Sequence, residues 1–282
     1  MINKFTIYGE RCSGTNYIEK LIKINFNIKI TWEYGWKHFF GFNNLENSDD
    51  TLFICIIRDP IDWINSLYKN KHHLYLDICD NPEKFINSPI ISVTEKKKNL
   101  KRIKSVKEKA IVKEKAIVKE KAIVKEKDIV EEDIVEEDIV EEDIVEEDIV
   151  EEDIVEEDIV DDKYIELKCD RNIYTKKRYK NIFELRHTKL KYMVTTLKKN
   201  VKNYIIIRYE DLLYDFSNTM KKFNKFNLIK NKDIIFPTNV IKDCKYGGIY
   251  NPNKTNLIFT KEMIFGHLNF NKIYEKKFDY IH

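Results

Sequence analysis

One stretch near the start of the chain, residues 9–16, constrains the fold more than any other. Its sequence, Gly-Glu-Arg-Cys-Ser-Gly-Thr-Asn, follows the apolar run 5–8 and precedes a helical pattern over residues 17–22. A strand, a glycine-bounded turn and a helix start direct backbone N–H groups at one point, which favours an anion there. The glycine spacing is that of a nucleotide P-loop, but Thr15 stands where a P-loop has lysine. The stretch therefore predicts a phosphate-like ligand without the usual ATP or GTP chemistry.

Two further apolar runs, 51–57 and 204–207, are each followed directly by an arginine. Uninterrupted apolar runs of this length are typical of strands buried on both faces of a parallel sheet. One helix is predicted to begin at Pro60. Others are predicted over residues 179–200 and 215–227, and a last one after the N-cap Thr260. Strands that alternate with helices predict an α/β fold with a central parallel sheet.

Charge is distributed unevenly along the 282 residues. Residues 96–127 carry 14 Lys and Arg against 4 Glu, whereas residues 128–162 carry 21 Asp and Glu and no base. Because the formal net charge is +2, the rest of the chain is basic, which suits an anionic ligand. No nucleic-acid-binding motif accompanies this charge, so we expect a small polyanionic cofactor rather than nucleic acid as the partner.

The charged segment 96–162 is also repetitive. Lys-Ala-Ile-Val recurs every six residues from Lys109, and Asp-Ile-Val recurs every five residues from Asp128 to Asp158. A five-residue period makes the apolar pairs spiral around a helix, and it flips them between the faces of a strand. We interpret 96–162 as a low-complexity surface insert, mobile or loosely helical, in one domain made of residues 1–95 and 163–282.

The five cysteines show no metal-binding spacing and indicate reduced thiols of an intracellular protein, with Cys55 in the core. No signal peptide and no apolar run near 18 residues is evident, so we expect a cytoplasmic protein without a membrane partner. The Ile-, Lys- and Asn-rich composition and the pure repeats are typical of AT-rich genomes, such as those of large viruses or parasites. If viral, the protein is expected in the host cytoplasm or the virion.

A second anion-binding element is predicted at the end of the strand 51–57. Arg58 follows that strand at its carboxyl end, where α/β proteins bind ligands. Ser66 lies about two helical turns further on, so that its hydroxyl can face the same anion. Arginine offers phosphate a bidentate pair of donors. A purely structural Arg58–Asp59 ion pair, and an ordinary turn at Ser13-Gly14-Thr15, are the simpler interpretations.

In these elements the chain resembles sulfotransferases that use 3′-phosphoadenosine 5′-phosphosulfate. The resemblance rests on Ser13-Gly14-Thr15, on Arg58 and Ser66 at the family spacing, and on Tyr-Glu-Asp-Leu from Tyr209. It covers residues 1–70 and about 179–282, and it implies a three-layer sandwich with a P-loop NTPase-like architecture. It also implies that the loop binds the 5′-phosphosulfate, that Arg58 and Ser66 bind the 3′-phosphate, and that no metal is needed.

Carried over by residue, the resemblance implies further roles. Tyr17 would stack on adenine and Tyr209 would line the adenine site. His38 would remove the proton of an acceptor hydroxyl or amine, and Lys37 would stabilise charge on the sulfuryl group. Packing of His38 among aromatic neighbours is the alternative for that residue. The cofactor-binding residues predicted in this way are Arg11, Cys12, Ser13, Gly14, Thr15, Asn16, Tyr17, Arg58, Ser66 and Tyr209, and the catalytic residues are Lys37 and His38.

One position departs from the family pattern. Many members carry Lys or Arg immediately before Ser-Gly-Thr, where this chain has Cys12 and has Arg11 one residue earlier. Arg11 or Lys37 is expected to supply that charge; if neither does, the protein binds the cofactor without efficient transfer. Lys245 is a further candidate for the 3′-phosphate.

Two other functions remain open on the sequence. A P-loop kinase or nucleotide phosphate transferase would need a lysine after Gly14 and an acidic Mg²⁺ ligand at a strand end. The second open function is that of a non-catalytic binding protein, in which Cys12 replaces the basic residue of the family pattern. Glu210 and Asp211 are expected to brace the following helix, and residues 72–95 and 241–256 to form the acceptor pocket. The acceptor itself cannot be read from the residues.

Overall fold

We describe a computed structural model of the chain, in residues 1–71, 73–75, 81–96, 160–161, 163–231 and 257–281. The chain divides into two compact units, Met1–Ser92 with Leu167–His282, and Val93–Glu166. Most of the charged repeat, Lys245 and the loop 241–256 lie outside the described residues. In the second unit, strands β6 (Val93–Glu95) and β7 (Tyr164–Glu166) pair antiparallel.

The first unit is built on a parallel sheet, which confirms the predicted α/β class. Its strands, in the spatial order β2-β1-β5-β8, are β2 (Lys29–Ile30), β1 (Lys4–Gly9), β5 (Thr51–Ile57) and β8 (Asn203–Arg208). All seven residues of β5 are buried, because a strand lies on each side and side chains cover both faces. A separate antiparallel hairpin joins β3 (Gly35–Trp36) to β4 (Phe39–Phe40).

Helices connect these strands. They are α1 (Thr15–Asn25), α2 (Pro60–Lys69), α3 (Pro82–Asn87), α4 (Ile182–Lys191), α5 (Lys198–Asn200), α6 (Tyr209–Tyr214), α7 (Phe216–Lys221), α8 (Lys261–Phe265) and α9 (Lys272–Glu275). A π-helical segment, Tyr192–Leu197, joins α4 to α5. Three 3₁₀ turns cover Lys168–Asp170, Lys222–Phe226 and Lys276–Phe278.

Both faces of the sheet are packed, because successive strand residues point to opposite sides. On one face, Ile7 of β1 belongs to a core cluster with Leu21 of α1. On the other face, Tyr8 and Cys55 belong to a cluster with Leu190 of α4. Cys55 is therefore a core residue, as expected, and burial raises the pKa of its thiol.

The strand register brings three loops to one edge of the sheet. Gly9 is paired with Ile56, and Ile57 is paired with Arg208. Since the strands are parallel, the residues after β1, β5 and β8 leave the sheet at this common edge. The loop that begins at Glu10, the side chain of Arg58 and the side chain of Tyr209 can therefore meet.

Some boundaries differ from those expected. The helix predicted over 179–200 begins at Ile182, because the Asn181 side chain accepts the N–H groups of Phe183 and Glu184 and so caps it. The segment 72–95, expected to contribute to the acceptor pocket, contains the capped helix α3. Thr260 caps α8 as expected, with its side chain accepting from Met263 N.

Candidate functional site

Glycine is required at both ends of the loop between β1 and α1. A Cβ on Gly9 would lie 2.7 Å from the Ile56 backbone oxygen. Gly14 has φ +90°, and a Cβ there would lie 2.4 Å from Cδ2 of Tyr209. Cys12 between them also has a positive φ, of 64°, which turns the chain tightly. Among the described residues α1 has no side-chain cap at its N-terminus, so the helix begins with main-chain donors directed at the loop.

Arg58 and Ser66 converge on this loop at Cys12. The guanidinium Nη1 of Arg58 donates to the Cys12 carbonyl at 2.9 Å. Ser66, two helical turns along α2, lies beside the Cys12 thiol, which donates to the Asn70 carbonyl oxygen at 3.9 Å. Asp59 fixes the start of α2 by accepting the N–H groups of Ile61 and Asp62. The two residues of the predicted second anion element therefore lie beside the first.

Lys37 reaches the same loop from the β3–β4 hairpin. Its Nζ donates to Asn16 Oδ1 at 2.6 Å and lies 3.6 Å from a Glu19 carboxylate oxygen. The ammonium also lies 5.2 Å from the centroid of the Trp36 ring. Lys37 is thus held at the first turn of α1. We call Cys12, Asn16, Lys37, Arg58 and Ser66 the partly exposed cluster, since none of them is fully buried.

The hairpin is fastened to the loop through Gly9. The Gly9 N–H donates to the Lys37 carbonyl at 2.9 Å, and the Gly9 carbonyl lies 2.8 Å from His38 Nδ1. His38 is 8% exposed, and burial holds its pKa well below the ordinary 6.5. The imidazole is therefore neutral at pH 7.

Arg11 turns away from this region and into the protein. It is 2% exposed, and its guanidinium lies 2.8 Å from Asp170 Oδ2 and 2.9 Å from Ser92 Oγ. The positive charge of Arg11 is therefore paired with the buried carboxylate of Asp170. Its expected role in cofactor binding finds no support in this geometry.

Three buried residues that sequence reasoning missed accompany Arg11: Glu10, Asp170 and Lys189. Lys189 Nζ lies 2.6 Å from Asp170 Oδ1 and 3.6 Å from Glu10 Oε1. Burial raises the pKa of Glu10, whereas the cations Arg11 and Lys189 hold the pKa of Asp170 below its usual value despite burial. We call Glu10, Arg11, Asp170 and Lys189 the buried cluster. No sequence signal links residues so far apart in the chain.

Two tyrosines lie beside the loop, Tyr17 on α1 and Tyr209 directly after β8. The Tyr17 and Tyr209 rings meet edge to face with centroids 6.3 Å apart, and the Arg58 guanidinium carbon lies 5.1 Å from the Tyr209 centroid. Both tyrosines are half-buried. Ser13 and Thr15 are 1% and 4% exposed, so both residues are buried beneath the loop surface.

Glu210 and Asp211 have bracing contacts. Glu210 accepts the N–H of Asp59 at 2.9 Å and the Tyr280 hydroxyl at 2.8 Å, and burial raises its pKa. Asp211 pairs with Arg208 at 2.6 Å. Glu210 therefore supports the start of α2, and with it the position of Arg58.

Comparison with protein-family models, with curated proteins and with solved structures finds no match. Within the ranges that the structure describes, no group of three or more His, Cys, Asp and Glu could hold a metal ion. In the same ranges, no helix combines the length and the apolar character needed to cross a membrane.

Proposed function

We propose that this chain is a sulfotransferase that transfers a sulfuryl group from 3′-phosphoadenosine 5′-phosphosulfate to a hydroxyl or amine, on a P-loop-like three-layer architecture. One observation carries the proposal. Arg58 and Ser66 on one side and Lys37 on the other contact the glycine-bounded loop at Cys12 and Asn16. The two elements that the sequence predicts to bind anions meet through a contact between residues 46 positions apart, which supports the proposal.

The residues present fit this cofactor. A guanidinium and an ammonium lie beside a helix that begins without a side-chain cap among the described residues. These donors suit phosphate and sulfate groups, because each bond would be charge-assisted or directed by the helix dipole. Among the described residues the buried hydroxyl of Tyr17 has no hydrogen-bond partner, so it can also donate to a ligand. We assign the 3′-phosphate to Arg58 and Ser66 and the phosphosulfate to the loop and Lys37.

When bound, the cofactor supplies the sulfuryl group and adenosine 3′,5′-bisphosphate as the leaving group. His38 acts as the general base in this proposal, because a neutral imidazole can take the proton of an acceptor hydroxyl or amine. Lys37 and the backbone N–H groups of the loop offset the negative charge on the transferring group. These residues need no metal ion for that purpose.

A second candidate is a protein that binds the cofactor and transfers sulfate poorly. The burial of Arg11 favours it, since Cys12 occupies the position before Ser13 and Arg11 is paired with Asp170. Of Arg11 and Lys37, Lys37 is then the residue whose charged group contacts the loop surface, at Asn16. The kinase alternative gains no support, because Thr15 follows Gly14 where a P-loop has lysine.

Calorimetric titration with adenosine 3′,5′-bisphosphate, without Mg²⁺, tests the proposal. We expect saturable binding, and we expect Arg58→Met to weaken it by about 2 kcal/mol, roughly 30-fold. Lys202→Met is the matched control, because Lys202 precedes β8 at the opposite edge of the sheet and its side chain is 69% exposed. Its affinity should stay within about twofold of wild type.

No binding by the wild type, or binding of Mg-ATP alone, would overturn the proposed cofactor. Turnover separates the two candidates. Radiolabelled cofactor is offered with a panel of phenol, sugar and amine acceptors. Transfer that His38→Gln abolishes, at unchanged affinity for the bisphosphate, supports the enzyme; tight binding without transfer to any acceptor supports the second candidate.

A further inference from the structure

The tautomer of His38 follows from the hydrogen bond between its ring and the Gly9 carbonyl. A carbonyl oxygen can only accept, so the 2.8 Å contact between His38 Nδ1 and Gly9 O requires a proton on Nδ1 when the ring is neutral. Nε2 then carries the lone pair. The hydrogen bond that one ring nitrogen makes decides which nitrogen is left to react, and a backbone carbonyl is a common partner in such a bond.

The main chain of His38 is held from the interior by Lys189. Lys189 Nζ donates to the His38 carbonyl at 2.7 Å and to Asp170 Oδ1 at 2.6 Å. Lys189 is 1% exposed, so solvent does not compete with these bonds. Asp170 also pairs with Arg11, which belongs to the same loop as Gly9. The Asp170 carboxylate thus contacts the loop through Arg11 and the hairpin that carries His38 through Lys189.

We propose that Lys189 is a positioning residue, which holds His38 against the Gly9 carbonyl as the Nδ1–H tautomer and leaves Nε2 to accept the proton of the acceptor. The use of Nε2 as a base rests on the proposed function. The tautomer and its dependence on Lys189 do not. The buried cluster is therefore part of the site's geometry as well as of the core.

Ring ¹⁵N NMR of the histidine-labelled full chain tests the first step. The His38 signals are assigned by their loss in His38→Gln. At neutral pH we expect a protonated Nδ1 and an unprotonated Nε2, as a single tautomer. A protonated Nε2, or an even mixture of tautomers, in the wild type would overturn the proposal.

The second step uses Lys189→Met combined with Glu10→Gln, which removes one buried charge of each sign. We expect the single His38 tautomer to become a mixture or to broaden by exchange. The matched control is Arg186→Met with Glu275→Gln. Arg186 lies on the same helix as Lys189, pairs at 2.8 Å with the buried Glu275 of α9, and donates to the Arg58 carbonyl instead of the His38 carbonyl. That control should leave the His38 signals unchanged.

Unchanged His38 signals in the Lys189 variant, or equal changes in both variants, would overturn the positioning role. If the Lys189 variant does not fold, Asp170→Asn, which keeps a side chain of the same shape, makes the same test. Activity adds a separate measurement. Turnover should fall at least tenfold while affinity for adenosine 3′,5′-bisphosphate stays within twofold; an equal fall in both would identify a merely structural role. Failure of the wild type to bind the bisphosphate would sink the proposed function and leave the NMR result standing.

Discussion

Arg11 and Arg58 were both expected to bind the same cofactor, at its phosphosulfate and its 3′-phosphate, and the fold puts them in opposite surroundings. Arg11 is 2% exposed and belongs to the buried cluster, where its guanidinium faces Asp170. Arg58 is half-buried in the partly exposed cluster, where it holds the Cys12 carbonyl. The loop of residues 9–16 contributes residues to both clusters.

The difference teaches that charge alone does not assign a residue to a ligand. Inside the protein, a cation is retained only if a carboxylate and further hydrogen bonds offset its lost hydration. Arg11 meets that condition with Asp170 and Ser92. At a ligand site, by contrast, a cation must keep donors that an anion can reach. Arg58 and Lys37 are only partly buried, and in the proposed function they face the ligand together with the helix start.

The largest expected effect separates the two arginines directly. Arg11→Met leaves Asp170 and Glu10 facing Lys189 alone, and we expect it to lower the free energy of unfolding by about 3–5 kcal/mol. Arg58→Met removes a bond to one carbonyl and should cost about 1 kcal/mol. Urea denaturation of both variants measures the difference. Equal losses would break the comparison.

The second-largest expected effect is that of a substitution at Gly14, which lies against the Tyr209 ring. Gly14→Ala places a side chain at φ +90° and against the Tyr209 ring, and it should cost about 2 kcal/mol of stability. Adding Tyr209→Ala should recover the steric part and leave the backbone part. A double variant as unstable as the sum of the two single variants would show that the ring contact is not the cause.

His38 gives a pH-dependent effect. Because burial lowers its pKa, the unfolded chain binds a proton below pH 6.5 that the folded chain does not. This group therefore removes about 1.4 kcal/mol of stability for each pH unit below 6.5, until the folded pKa is reached. Stability of the wild type relative to His38→Gln should fall between pH 6.5 and 5.5. A pH-independent difference between the two proteins would argue that His38 is not buried as a neutral ring.

The smallest effect concerns Lys37. Lys37→Met should weaken the binding of adenosine 3′,5′-bisphosphate by about 1 kcal/mol, roughly fivefold, with little change in stability. Its partner Asn16 is exposed and its contact with Glu19 is a long one, so the fold depends little on it. Unaltered affinity would show that Lys37 does not contribute to binding of the bisphosphate. Lys202→Met again serves as the control.

Local sequence patterns predicted the elements well. The apolar run 51–57 became β5, Asp59-Pro60 began α2, and residues 9–16 form the turn between β1 and α1. Such elements follow from short-range causes, namely burial, capping and the glycine conformation. The interrupted helix over 179–200 and the capped α3 were missed, because Asn181 and Asn81 were not recognised as N-caps.

The amino-acid sequence by itself determined the α/β alternation, the glycine-bounded loop and the Arg58–Ser66 spacing. Only the tertiary structure decided which charges face inward. Asp170 and Lys189 reach Arg11 from segments that a parallel sheet and its crossovers bring together, and no local pattern encodes that meeting. Once the carboxylate is buried there, the cost of leaving it unpaired draws Arg11 into the core. In the proposed function, Lys37 and Arg58 then supply the charge that faces the ligand.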